Sequence, residues 1–149
     1  MKYYYFLIIG LFVTSCSTYS DSDKELFDRK IENYIDSAGI DMTRAENGLY
    51  YNIIDQGEEE DIKITDRVTF HYTGAFLDGE VFQTIPKDEA LTFYVRELIV
   101  GWQDALTLIG NGGEIEVIIP PHLGYGTKNT ELIPPNSILK YRLKVIDVE

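Results

Sequence analysis

Apolar residues recur at every second position over most of the chain, the pattern of strands that bury one face. Residues 48–54 alternate in this way. Four later runs repeat the alternation: Val68/Phe70/Tyr72, Leu91/Phe93/Val95, Ile115/Val117/Ile119 and Leu139/Tyr141/Leu143/Val145. Asp78-Gly79 predicts a tight turn between two strands, and all five prolines lie between the runs, where no ladder hydrogen bond is lost. The pattern predicts an antiparallel sheet.

A helical period marks the segment before the first of these strands. Ser22 and Glu25 fit a capping box that starts a helix, and Gly39 can end it. The apolar positions between them are spaced as on one helix face: Phe27, Ile31, Tyr34, Ile35 and Ala38. We expect this stripe to pack on the strand-rich domain; the alternative is that it pairs with a second copy of the chain.

A second, shorter helical period lies between Gly101 and Gly110. Its apolar residues are spaced at i, i+3, i+4 and i+7: Trp102, Ala105, Leu106 and Ile109. We expect one short helix on the inner face of the sheet. An antiparallel sheet with a helix on it is an α+β fold.

The first residues have the composition of a targeting signal. Lys2 precedes an apolar run over residues 6–13, which is too short for a spanning helix of about 20 residues. The order Val13-Thr14-Ser15-Cys16 resembles a bacterial lipobox, in which the cysteine becomes the lipidated first residue of the mature protein. The alternative is a plain secretory signal with an incidental cysteine.

These features divide the chain into four parts. We expect a lipoprotein signal peptide over residues 1–15, a polar tether over 16–21, a helix and strand extension over 22–57, and the main domain over 58–149. The mature protein is then exported and lipid-anchored through Cys16 to a membrane of the cell envelope, either the outer membrane or one that faces the periplasm.

The composition argues against several kinds of binding site and catalytic chemistry. A net charge of −12 argues against a nucleic-acid surface, which needs clustered Lys and Arg. One cysteine excludes an internal disulfide, and no Cys/His cluster, nucleophile motif, phosphate loop or dinucleotide fingerprint is present, so neither a metal nor a cofactor is expected. His71 and His122 are isolated, and His71 is interpreted as solvated. Aromatic residues make up 13% of the chain, which favours an aromatic-lined pocket.

Three ordered motifs point to a family. Residues 71–82 read HYTGAFLDGEVF, residues 98–106 read LIVGWQDAL, and Gly124-Tyr-Gly126 is followed by Ile133-Pro-Pro-Asn136. Together they resemble FK506-binding-protein-type (FKBP-type) peptidyl-prolyl cis-trans isomerases from about residue 61 to the end of the chain. The segment from 23 to 54 is similar to the extension of exported bacterial members, among them gliding-motility lipoproteins of Bacteroidetes.

The resemblance implies a fold and a site. The fold is a curved antiparallel sheet of five or six strands wrapped around one short helix, with a hydrophobic pocket between them. By motif position the pocket residues are Tyr72, Phe82, Ile99, Trp102, Tyr125, Ile133 and Tyr141, and the rim residues are Gln83, Leu98 and Leu91. Read without the resemblance, the same apolar residues could simply be core.

The implied activity is isomerisation of X–Pro bonds in envelope polypeptides. Rotation about a peptide bond has a barrier of about 18–20 kcal/mol. An apolar pocket can lower it by disfavouring the planar, charge-separated amide, with no nucleophile or metal. The alternatives are a non-catalytic peptide-binding chaperone and an accessory lipoprotein of an envelope machine such as that of gliding.

Two positions depart from the family pattern. Gln83 stands where the family has an aspartate that accepts hydrogen bonds from the tyrosine at position 72 and from bound macrolides. Leu91 stands where an aromatic residue is common, and the stretch before it is short. We therefore expect weak binding of FK506-like macrolides.

Overall fold

The computed structural model describes residues 18–149, which form two α-helices and one seven-stranded sheet. In chain order the elements are α1 (Asp21–Ala38), β1 (Thr43–Arg44), β2 (Tyr50–Asp55), β3 (Arg67–Phe76), β4 (Val81–Ile85), β5 (Leu91–Tyr94), α2 (Val100–Leu106), β6 (Glu114–Ile119) and β7 (Leu139–Val148). Short 3₁₀ turns cover Lys87–Glu89, Val95–Glu97 and Pro121–Leu123. The expected signal peptide and Cys16 lie outside the described residues.

Every pairing in the sheet is antiparallel, in the order β1-β2-β6-β7-β3-β4, with β5 also on β3. The predicted α+β architecture is confirmed, and the strand number is seven. The resemblance implied five or six strands; two of the seven, β1 and β2, belong to the predicted extension, where β2 pairs with β6 and β1 pairs with β2. The division of the chain at residue 58 stays a prediction. No helix within residues 18–149 is long and apolar enough to cross a membrane.

The strand alternation divides the sheet into an inner and an outer face. On the inner face of β3, Val68, Phe70 and Tyr72 are buried, while the residues between them are half-buried, His71 included. The core on this face also holds residues from α2, β6 and β7: Ala105, Leu106, Ile115, Val117, Ile119, Leu139, Tyr141 and Leu143. The two-residue period of the sequence therefore corresponds to one continuous core.

Helix α2 begins two residues earlier than predicted, at Val100 instead of Trp102, and includes Gly101. A Cβ atom at Gly101 would lie 2.7 Å from the side chain of Ile119 on β6. The glycine therefore lies inside the helix, where it allows close packing on the sheet, and not before it. Ile109 lies beyond the last residue of the helix, although its side chain is fully buried.

Helix α1 also begins earlier than predicted. Its capping box is formed by Ser20 and Asp23, not by Ser22 and Glu25. Ser20 Oγ accepts from the Asp23 N–H at 3.2 Å, and the Asp23 carboxylate accepts from the Ser20 N–H at 2.9 Å. This reciprocal pair satisfies two backbone donors, which the Ser22 register would leave to solvent. Gly39 ends the helix at a φ of 62°, as predicted.

The apolar stripe of α1 packs on the outer face of the sheet. Ile31 is fully buried in a second cluster with Tyr50 of β2 and Ile118 of β6. Beside it, Lys140 Nζ donates to the Tyr34 hydroxyl at 3.1 Å. The expectation that the stripe packs on the domain of its own chain is confirmed. The sheet therefore carries α2 on its inner face and α1 on its outer face.

Candidate active site

An apolar cavity of about 330 Å³ opens on the inner face, where β3 and β5 meet the start of α2. Seven of the ten residues predicted for the pocket line this cavity: Tyr72, Leu91, Leu98, Ile99, Trp102, Tyr125 and Tyr141. They come from three strands, one helix start and one loop, so residues far apart in sequence share one wall. The arrangement supports the predicted placement; the part each residue plays in catalysis stays a prediction.

Trp102 is the centre of the cavity wall. Its ring meets those of Phe70, Tyr72 and Tyr141 edge to face, with centroids 5.2, 4.8 and 4.9 Å apart. Such pairs contribute about 0.5–1.5 kcal/mol each beyond the burial of area. The indole is only 6% exposed, and its buried Nε1 has no hydrogen-bond partner among the described residues. The first turn of α2 is therefore held against the sheet by aromatic packing.

Three tyrosine hydroxyls gather at this cavity. Burial raises the pKa of Tyr141, and the nearby hydroxyls of Tyr125 and Tyr72 raise it further. Burial also raises the pKa of Tyr72, with a smaller contribution from Tyr125. Tyr72 and Tyr141 are consequently neutral at physiological pH and carry hydroxyl protons. A polar group that enters the cavity therefore meets aromatic walls and the neutral hydroxyls of these tyrosines.

Gln83 lies behind this wall. It is half-buried on β4 and does not line the cavity. Its Oε1 accepts a hydrogen bond of 2.7 Å from the Tyr72 hydroxyl. The amide therefore accepts from the tyrosine as the aspartate of the family would, but without the negative charge. This hydrogen bond links Gln83 to Tyr72, which lines the cavity.

Phe82 and Ile133 were expected in the pocket, but neither lines it. The Phe82 ring lies 5.7 Å from the ring of Tyr141, and a Cβ on Gly74 would lie 2.7 Å from both rings. Ile133 is 5% exposed and belongs to the main core. Both side chains pack against core residues and do not face the cavity.

Tyr125 reaches the cavity from the loop 120–138, which joins β6 to β7. Gly126 has a φ of 63°, and its N–H donates to the Pro121 carbonyl at 2.9 Å. Asn136 has a φ of 62°, and its N–H donates to the Gly126 carbonyl at 2.8 Å. These two bonds bring the ends of the loop together on either side of Tyr125. The side chain of Tyr125 is half-buried and lines the cavity.

Three lining residues were missed by the sequence analysis: Phe70, Phe93 and Glu97. The two-residue period could have found the first two, since Phe70 precedes Tyr72 by two residues and Phe93 follows Leu91 by two. Phe70 lies directly opposite Leu91 in the β3–β5 register. No signal in the sequence marks Glu97, whose carboxylate accepts from the Tyr94 N–H at 3.3 Å.

The two histidines lie apart from the cavity. His122 Nε2 is 2.9 Å from the Asn47 carbonyl oxygen, which ties the turn Pro121–Leu123 to the segment before β2. His71 points to the face opposite Phe70 and Tyr72. Within residues 18–149, no three His, Cys, Asp or Glu side chains form a group that could hold a metal ion.

Comparison with known proteins identifies the domain. A family model described as FKBP-type peptidyl-prolyl cis-trans isomerase matches residues 58–146. A probable FKBP-type peptidyl-prolyl cis-trans isomerase of Haemophilus influenzae is 38% identical over 112 residues, 74% of this chain and 46% of that protein. The FKBP-type 22 kDa peptidyl-prolyl cis-trans isomerase of Escherichia coli is 37% identical over 120 residues, 79% of this chain and 57% of that protein.

A solved structure agrees with the sequence comparisons. The crystal structure of FkpA from Escherichia coli has a TM-score of 0.74 and 31% identity, over 86% of this chain and 62% of that one. The chain spans about half the length of the curated relatives it matches. The family model covers more than half of this chain and includes all the residues that line the cavity. The chain belongs to the FKBP-type peptidyl-prolyl cis-trans isomerase family.

Proposed function

We propose that this protein is a peptidyl-prolyl cis-trans isomerase that acts on proline-containing polypeptides of the cell envelope. The observation that carries the proposal is the cavity between β3, β5 and α2. Its walls are aromatic and aliphatic, and its polar groups include the Tyr72 and Tyr141 hydroxyls, whose pKa values burial raises. A proline ring fits such a surface, and the amide next to it leaves water when it enters.

The reaction requires modest stabilisation of a twisted amide. An X–Pro bond isomerises over tens to hundreds of seconds without help, so a millisecond step needs roughly a 10⁴–10⁵-fold gain, or about 5.4–6.8 kcal/mol. The planar amide is charge-separated and loses solvation in an apolar cavity, whereas the twisted amide loses less. Donors that meet the carbonyl oxygen, such as the Tyr125 hydroxyl and a backbone N–H near Ile99, add binding that is stronger in the transition state.

A proline-limited assay tests the activity. Phe93 lines the cavity and is 41% exposed, so Phe93→Ala removes wall area without opening the core. We expect its kcat/KM to fall several-fold. Ile64 is 43% exposed and does not line the cavity, so Ile64→Ala should leave kcat/KM unchanged. A native protein that accelerates neither a tetrapeptide nor the refolding of a proline-limited client would contradict the proposal.

We further propose that Cys16 carries a lipid anchor. The support is the lipobox-like order of residues 13–16 after a short apolar run. Tyr19 follows Cys16 by three positions, so the two Cα atoms are at most about 11 Å apart, and the domain would lie close to the membrane surface. Labelling with a radioactive fatty acid tests this, since Cys16→Ser should abolish the label. Equal labelling of both proteins would leave plain secretion.

A second candidate function is the holding of unfolded chains without turnover, as a chaperone or an accessory of an envelope machine. The observation that favours it is the exposure of Phe93, which extends the apolar surface of the cavity to solvent. Suppression of the aggregation of a proline-free client by a protein that shows no isomerisation would support this alternative. Co-purification from envelope fractions would then separate a chaperone from a component of a fixed assembly.

A further inference from the structure

Tyr19, the residue before the N-cap of α1, contacts the loop 120–138 that carries Tyr125. Its side chain is only 8% exposed, and its hydroxyl donates a hydrogen bond of 2.6 Å to Oδ1 of Asn136, 117 positions away. Its ring meets Phe27 of α1 edge to face at 5.4 Å. Tyr19 precedes Ser20, the N-cap of α1, so one residue joins the helix start to the loop 120–138.

Asn136 connects Tyr19 to the backbone next to Tyr125. Its side chain accepts from Tyr19, while its N–H donates to the carbonyl of Gly126, the residue after Tyr125. Hydrogen bonds therefore run from Tyr19 through Asn136 to the backbone beside Tyr125. Tyr19 also lies close to Gly126 itself, since a Cβ atom added to Gly126 would be 3.9 Å from the Tyr19 hydroxyl oxygen.

Among residues 18–149, no side chain fills the space between Tyr19 and the loop. A second cavity, of about 380 Å³, lies there, lined by Tyr19, His122, Gly124, Tyr125 and Lys128 among others. Tyr125 thus has a cavity on each of two sides, the apolar one and this one. A loop segment with open space behind it depends on its hydrogen bonds for its position. Burial raises the pKa of Tyr19, and nearby Asp23 raises it further, so the hydroxyl keeps its proton.

We propose that Tyr19 is a positioning residue for the isomerase reaction: through Asn136 it holds the loop 120–138 so that Tyr125 faces the apolar cavity. The inference rests on the proposed function. If so, the segment directly after the predicted lipidation site helps to shape the active site. Tyr19 would then set the geometry of the loop, and the same segment would link the domain to its anchor.

Three single variants test the hydrogen-bond path. Tyr19→Phe removes the donor. Asn136→Gly removes the acceptor but keeps the backbone N–H and tolerates the positive φ. Tyr34→Phe is the matched control, because its hydroxyl meets Lys140 on the outer face of the sheet. We expect kcat/KM to fall about two- to tenfold in each of the first two and no further in their double mutant, with no change in Tyr34→Phe. No change in Tyr19→Phe would overturn the proposal.

Repeating the Tyr19→Phe substitution in a Tyr125→Phe protein separates a positioning role from a general loss of stability. If Tyr19 acts by placing the Tyr125 hydroxyl, Tyr19→Phe should lower kcat/KM in the native background and have no effect in a Tyr125→Phe background. A loss of stability alone would lower activity equally in both. Equal losses in the two backgrounds would therefore overturn the positioning role.

Amide hydrogen exchange keeps this inference distinct from the proposed function. We expect the Asn136 and Gly126 amides to exchange faster in Tyr19→Phe than in Tyr34→Phe, whether or not the protein catalyses isomerisation. An inactive native protein would overturn the proposed function. Unchanged exchange at both amides would overturn the claim that Tyr19 holds the loop.

Discussion

The Tyr72 hydroxyl donates a hydrogen bond of 2.7 Å to Oε1 of Gln83, across the β3–β4 pair. A neutral amide therefore occupies the accepting position that the family pattern assigns to a carboxylate. Hydrogen bonds to charged groups contribute about 1.5–3 kcal/mol and neutral ones about 0.5–1.5 kcal/mol. The Tyr72 hydroxyl of this protein is consequently held in place, but less strongly polarised than one bound to a carboxylate.

Gln83→Asp should restore the charge and raise affinity for FK506. A gain of about 1 kcal/mol corresponds to roughly fivefold tighter binding, while turnover of a peptide should change by less than about threefold. The peptide presents mainly its amide and apolar side chains, so it depends less on this position. Titration with the drug, followed by Trp102 fluorescence, measures the affinity of both proteins. Native protein that binds as tightly as the variant would show that position 83 has no influence on the cavity.

Tyr125→Phe should slow isomerisation without unfolding the protein. If the hydroxyl donates one neutral hydrogen bond to the substrate carbonyl, its loss raises the barrier by about 0.5–1.5 kcal/mol, a factor of about 2 to 12 in kcat/KM. Tyr125 is half-buried on a loop, so circular dichroism should be unchanged. Trp102→Ala should reduce activity more, but it also opens the core. An unchanged rate in folded Tyr125→Phe would remove that hydroxyl from the reaction.

Gly74→Ala should destabilise the fold. A Cβ at this position would lie 2.7 Å from the rings of both Phe82 and Tyr141, so both rings would have to shift. Overpacking of this kind costs about 1–3 kcal/mol, measurable as a lower urea midpoint. Phe82→Leu in the same chain should recover part of the loss, because it removes one of the two clashes. Equal stability of Gly74→Ala and native protein would contradict the packing described here.

Ile31→Ala should test the packing of α1 on the sheet. Ile31 is fully buried against Tyr50 and Ile118, so its truncation should lower the free energy of unfolding by about 2–5 kcal/mol. Leu26 lies on the same helix and is 42% exposed, so Leu26→Ala is a matched control with a change within about 0.5 kcal/mol. Urea unfolding measures the free energy of unfolding of both variants. Equal small effects would contradict the packing of Ile31 on the sheet.

Local signals in the sequence predicted most of the sheet and both helices, and the family resemblance supplied the candidate site. The two-residue period of β3, β6 and β7 predicts the sheet because alternate residues of a strand face opposite sides. The resemblance to the family implied pocket positions for Trp102 in α2 and Tyr125 in the final loop, and both residues line the cavity. These features depend on residues close together in the chain.

Tertiary structure decided which inward-facing residues reach the cavity. A period assigns a side chain to a face, but the register between distant strands decides whether that face is covered or open. Phe70 lines the cavity because β5 sets Leu91 opposite it, whereas Phe82 is withdrawn behind Tyr141 because Gly74 leaves room for both rings. The bond from Tyr19 to Asn136 joins residues 117 positions apart. Neither residue carries a local pattern that marks the other, since only the closed fold brings them within hydrogen-bond distance.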